Sequence, residues 1–137
     1  LAAMKEMGTY NNSTIIIIAD HGSVEVANEM SKAVNPILFL KPAGADSSAP
    51  VKTSAAPVSQ EDFHPTVLWA LGDENYSDLG RTFFEVGENE ERTRNFYFRV
   101  AFDGSPDESL IEYEIKGDVT DFANWKKSGR VWGSLAE

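Results

Sequence analysis

Four consecutive isoleucines, Ile15 to Ile18, lie between Thr14 and Ala19, and the run stops abruptly at Asp20-His21-Gly22. β-branched apolar residues with no polar residue alternating among them suit a strand buried on both faces, as in a sheet covered on either side. That run sets the fold class at α/β, with this strand inside a layered sheet. Open sheets of that kind collect ligands beyond the carboxyl ends of their strands. A carboxylate and an imidazole at that place supply one oxygen and one nitrogen donor, half of a divalent-metal site. Gly22 lets the backbone turn away and leaves both side chains free to face one cleft. The same residues also fit an acid that caps the next turn beside a histidine that only hydrogen-bonds. Taken alone, the triplet leaves both readings open.

The chain has 137 residues, enough for one domain with a real core and short for a two-domain enzyme. A hydrophobic fraction of 42% beside 25% charged residues is that of a folded domain and argues against disorder. The formal charge of −10 and the lack of a basic stripe exclude nucleic acid as a partner. There is no cysteine, which removes disulfides, thiolate metal sites and a cysteine nucleophile from consideration. No apolar run approaches the ~20 residues of a membrane span, and no signal peptide is visible. The sequence opens at Leu1 within a helical pattern, as expected of a piece of a longer protein.

Leu1, Met4 and Met7 repeat at helical spacing before Gly8, predicting a short helix with a glycine stop. Asn35-Pro36-Ile37-Leu38-Phe39-Leu40-Lys41-Pro42 reads as a second buried strand fenced by prolines. Between the two strands, residues 22–34 suit a short helix or a loop over the cleft, and 43–56 a mobile Gly/Ser/Ala/Pro loop. Ser59-Gln60-Glu61-Asp62 has the spacing of a capping box. It predicts a helix to Gly72 whose buried face is Phe63, Val67, Leu68 and Leu71, with Pro65 tolerated near its start. Residues 94–102 and 109–116 alternate aromatic or apolar with polar residues around Asp103-Gly104-Ser105-Pro106, predicting an antiparallel hairpin with one buried face. Residues 118–127 are expected to form a capped helix carrying Trp125.

Three of these segments, in this order and spacing, resemble the sulfatase-like branch of the alkaline phosphatase superfamily. That branch holds the sulfatases, the lipoteichoic acid synthases and the phosphoethanolamine transferases. The segment 13–22 is similar to the family's strand ending in Asp-His-Gly, and 35–42 to the following strand that ends in proline. The segment 56–72 is similar to a helix in which an acid, a Pro-Thr pair and a Leu-Gly end recur, here Asp62, Pro65-Thr66 and Leu71-Gly72. The resemblance covers residues 13–86. It implies that residues 1–86 are the C-terminal part of an alkaline-phosphatase-like α/β sandwich, followed over 87–137 by a hairpin subdomain with a C-terminal helix.

By the same resemblance, Asp20 and His21 are ligands of a divalent metal that serves phosphoryl or sulfuryl transfer, in a hydrolase or a transferase. The remaining ligands and the nucleophile belong to the family's N-terminal half, so the chain holds no catalytic residue of its own and its partner is that half of the parent protein. The chain alone is expected to be inactive. The implied substrate is an anionic phosphate or sulfate ester, and the implied location is the surface of a bacterium, on a membrane-anchored parent. An aspartate with an imidazole suits zinc or manganese better than calcium, though sulfatase-like enzymes that use calcium carry the same pair. The rival reading is a non-catalytic surface module that binds a glycan or a protein partner through the aromatic hairpin or an acidic face.

Other residues are assigned blander roles. His64 is expected to pack within its helix rather than bind a second metal. Lys32 and Lys41 suit solvated positions better than an anion site, and Arg81 suits a structural ion pair. Phe96, Phe98, Val100 and Phe102 suit the core face of a sheet better than a sugar platform. The sequons at Asn11 and Asn75 are of a kind frequent by chance, and Gly87 to Glu91 suits a solvated turn.

Overall fold

The computed structural model describes residues 1–22, 35–101 and 108–133. In chain order these contain α1 (Ala2–Glu6), β1 (Ile15–Ile18), β2 (Leu38–Lys41), α2 (Phe63–Ala70), β3 (Thr93–Ala101), β4 (Glu108–Lys116) and β5 (Trp125–Gly133). Single 3-10 turns stand at Gln60–Asp62, Tyr76–Leu79 and Phe122–Asn124. The strands form two antiparallel sheets, β1–β2 and β3–β4–β5, so the class is mixed α/β. The segment between the first two strands, Lys32 within it, and the hairpin tip with Phe102 lie outside the described residues.

The isoleucine strand is not enclosed as its composition predicts. Ile15 pairs with Lys41 and Ile18 with Leu38, antiparallel. Ile17 and its cross-strand partner Phe39 are exposed, as is Ile37. Burial of both faces needs a layer on each side. Among the described residues, this sheet meets Gln60 and Phe63 in a cleft with Ile18 and Ala19, and Tyr10 beside Lys41.

Helix α2 begins as expected and buries an unexpected face. The Ser59 N–H donates to Asp62 Oδ2 at 2.8 Å, and the Ser59 side chain faces the Asp62 N–H, the reciprocal arrangement of a capping box. The helix ends where Gly72, at φ +81°, reverses the chain. Gly72 N–H reaches the Trp69 carbonyl and Asp73 N–H the Leu68 carbonyl, both at 3.0 Å, the pairing of a Schellman stop. Of the four apolar residues expected to be buried, Phe63 and Leu71 are exposed and Val67 and Leu68 half-buried, and the fully buried residues are Asp62 at the cap, Pro65 and Thr66.

Those buried residues anchor the chain from the Thr82 turn to the start of β3. Arg92, just before β3, forks onto Asp62 with Nη1–Oδ2 at 2.6 Å and Nη2–Oδ1 at 2.7 Å. The Thr66 hydroxyl donates to the Asp62 carbonyl at 2.6 Å and accepts the Phe83 N–H at 2.8 Å. Phe83 and Val86 are thereby held in the small apolar core, and Trp69 meets Phe84 with ring centroids 5.1 Å apart. Glu85 accepts from the Thr82 N–H and the Tyr76 hydroxyl, which fixes the turn between them. Arg81 forks onto Glu90, the structural pairing expected of it.

The hairpin forms in the expected strands, with Phe96 opposite Tyr113 and Phe98 opposite Ile111. Ile115, on the same face, is buried. The helix predicted over 118–127 does not form. Asp121 caps a single 3-10 turn by accepting the Ala123 N–H at 2.9 Å, and the chain then enters β5. Pairing wins because it sets Trp125 opposite Ile115 and among Phe96, Tyr113 and Phe122, at centroid distances of 5.3–6.1 Å. Its indole N–H also finds the Val119 carbonyl at 3.0 Å.

On the other face of β4, Glu112 is fully buried. The Ser128 hydroxyl and the Arg130 guanidinium beside it hold its carboxyl below the ordinary glutamate value of 4.5. A depressed folded-state pKa makes this cluster stabilising above that value and lost as pH falls through the folded one. Thermal unfolding of Glu112→Gln is therefore expected to show a flatter loss of melting temperature below pH 4.5 than wild type. For Asp62–Arg92, Arg92→Ala leaves a buried carboxylate unpaired and is expected to cost about 3–5 kcal/mol in urea unfolding. Asp62→Leu combined with Arg92→Met should recover most of that loss, because both charges are removed together.

Candidate metal centre at the end of the first strand

Asp20 and His21 follow β1 by two and three residues, where the backbone leaves the sheet. Ala19 N–H still donates to the Ile37 carbonyl at 3.1 Å, so the pair emerges directly from the last rung of the ladder. The Asp20 backbone is held from the other side. Gln60 Nε2, in the turn that opens α2, donates to the Asp20 carbonyl at 2.9 Å. Ile18, Ala19, Asp20, Gln60 and Phe63 line a shallow, open hollow of about 380 Å³.

The two side chains face one another. His21 Nε2 stands 3.7 Å from Asp20 Oδ2, while the His21 N–H donates to Asp20 Oδ1 at 3.0 Å. His21 Nδ1 lies 2.7 Å from the Gly22 carbonyl oxygen. A carbonyl can only accept, so Nδ1 carries the proton, and in the neutral imidazole Nε2 holds the lone pair. That nitrogen stands 3.7 Å from a carboxylate oxygen, an approach that a shared cation would stabilise and that a proton on Nε2 would stabilise as well. A nitrogen and an oxygen donor at about 2.1 Å from a tetrahedral ion are about 3.4 Å apart. The observed 3.7 Å is within a small side-chain rotation of that spacing. A backbone carbonyl on the far nitrogen is also the usual support for a metal-bound imidazole. The donor set thus fits a divalent ion, with Asp20 and His21 as the residues that would hold it.

The side chains are 89% exposed at Asp20 and 59% at His21, so the pair is presented rather than enclosed. Among the described residues, no three His, Asp or Glu side chains converge on one point. His64 does not join the pair, and it is exposed on α2 rather than packed. Lys41 is not a solvated cation: its ammonium donates to the Ser13 and Pro42 carbonyls, each at 3.2 Å, and lies 4.7 Å from the centre of the Tyr10 ring.

Sequence reasoning missed Gln60, which ties α2 to the Asp20 backbone. Its only signal was its place one residue after the Ser59 cap. No protein-family model, curated protein or solved structure matches the chain.

The tautomer can be checked directly. In ¹⁵N-correlated NMR at alkaline pH, His21 is expected to carry its proton on Nδ1 in the metal-free chain. A dominant Nε2–H form would remove the argument for a lone pair aimed at Asp20.

Proposed function

We propose that this chain is part of a sulfatase-like, metal-dependent enzyme of phosphoryl or sulfuryl transfer, and that it contributes Asp20 and His21 to a shared divalent-metal site. The observation that carries the reading is the pairing of Asp20 Oδ2 with His21 Nε2 at 3.7 Å while Nδ1 is committed to the Gly22 carbonyl. The ordered recurrence of the segments 13–22, 35–42 and 56–72 supports it. On this reading the fold belongs to an alkaline-phosphatase-like sandwich whose other layers come from the N-terminal half of the parent. Fold analogy alone does not carry the activity, so the weight rests on the donor pair.

In such a site the metal, when bound, acts as a Lewis acid toward the ester oxygens and the attacking group. Asp20 contributes a negative, hard donor and His21 a neutral, borderline one, a combination suited to zinc or manganese, with calcium the alternative. Gln60 fixes the Asp20 backbone, and Ile18 and Phe63 form an apolar wall against which an ester could rest. The nucleophile and the other ligands come from outside this chain. The proposed setting is the outer surface of a bacterium.

Metal content of the intact parent protein tests the proposal. Asp20→Ala and His21→Ala are each expected to weaken zinc or manganese binding by about 100-fold or more, read by equilibrium dialysis with elemental analysis. His64→Ala should leave binding unchanged. Undiminished metal binding in both of the first two variants sinks the proposal.

A further inference from the structure

The solvent face of the β3–β4–β5 sheet carries a group of side chains that core packing does not explain. Tyr97 and Trp132 are 47% and 44% exposed, yet their rings meet at 5.6 Å between centroids and tilt 59° to each other. They approach diagonally across β4, since Tyr97 pairs with Glu112 and Trp132 with Leu110. Beside them, in the middle strand, lies the buried Glu112. Its carboxylate takes the Ser128 hydroxyl at 2.6 Å, Arg130 Nη2 at 2.7 Å and Arg130 Nε.

That grip depends on an irregularity in β5. The register with β4 slips between Ile111 and Tyr113, so residues 128–130 stand opposite Glu112 alone. Gly129 takes φ +87° there, a conformation glycine adopts without strain. The bulge turns both Ser128 and Arg130 onto one carboxylate, and bulges commonly re-aim side chains at functional places. Arg130 uses its Nε–Nη2 side on Glu112, which leaves its end-on fork, Nη1 with the second Nη2 hydrogen, pointing away from that partner. The Arg130 side chain is 60% exposed. A guanidinium is thus fixed in orientation beside two exposed rings, with its own charge partner sunk beneath.

We propose that this face, around Tyr97, Arg130 and Trp132, binds an acidic glycan of the uronic-acid type. The rings form an open corner that suits the C–H face of a pyranose; the Tyr97 hydroxyl is held by Glu112, which fixes its ring, and the Trp132 indole N–H is the polar tip turned to the sugar hydroxyls. The Arg130 fork matches a carboxylate in two parallel hydrogen bonds. Charge distribution agrees with an anionic partner. Residues 61–91 hold nine acidic side chains and one basic, whereas 92–133 hold seven of each. The acidic excess therefore lies outside the sheet, and on this face Lys126 stands opposite Glu114, so the two charges offset. The site shares no residue with Asp20 and His21, so its failure and that of the metal reading are separable.

Calorimetric titration of the full chain with oligogalacturonate tests the proposal. Measurable binding is expected, weakened at least tenfold by Trp132→Ala and by Arg130→Lys. The lysine keeps a charge for Glu112 and loses the fork. Binding should also weaken in 0.5 M salt. Circular dichroism checks that the variants fold, and if Arg130→Lys does not, Trp132→Ala at its exposed position decides alone. The proposal is overturned by no binding, by equal binding of neutral isomalto-oligosaccharide, by equal binding of poly-L-glutamate, or by undiminished binding of the folded variants.

Discussion

The fork of Arg92 onto Asp62 is the interaction on which the rest of the described chain depends. Asp62 also takes the Ser59 N–H on its side chain and the Thr66 hydroxyl on its carbonyl, and Thr66 in turn receives the Phe83 N–H. The approach to α2, α2 itself, the Thr82–Val86 turn and the entry to β3 are thus tied together through one buried acid and the threonine bonded to it. The apolar core beside it is small, with Phe83, Val86 and Ile115 as its buried hydrophobic members. A bidentate pair this well enclosed contributes order as much as energy, since any shift of α2 against β3 would strand a charge without water.

The same lock bears on the Asp20–His21 pair. Gln60 lies in the turn between Ser59 and Asp62, and its amide holds the Asp20 backbone. The position of Asp20 and His21 is therefore referred, through one turn of 3-10 helix, to the Asp62–Arg92 pair. In sequence, an acid, a Pro-Thr pair and a Leu-Gly end resemble the marks of a family. In the structure each also acts locally. Asp62 anchors a charge, Pro65-Thr66 forms the buried helix start with the acceptor for Phe83, and Gly72 reverses the chain.

How much of this was legible in the sequence depended on the range of the interaction. Elements set by neighbours a few residues apart were readable: the Ser59 cap, the Gly72 stop and the alternation of the β3–β4 hairpin. The burial of α2 was not, because Phe63 and Leu71 are apolar yet face out, and the buried side rests on hydrogen bonds to residues 83 and 92. The stretch 118–127 misled for a similar reason. Its local signals begin a helical turn at Asp121, but the aromatic cluster around Trp125 can be reached only by pairing with β4. At the candidate site the donor types were legible and their geometry was not. Which imidazole nitrogen faces Asp20 depends on the Gly22 carbonyl, and Lys41 lost its solvated role to two carbonyls and a tyrosine ring.

The β1–β2 pair has a consequence of a different kind. Thr14 to Ala19 contains no charge and no proline, has high strand propensity, and pairs along a single edge among the described residues. A strand of that composition with an open edge is a template for cross-strand stacking between molecules. The −10 charge opposes such stacking at long range but places no gatekeeper within the strand itself. The free edge of β1 is thus the place in the described chain where such stacking would begin, and a neighbouring strand on that edge would remove it.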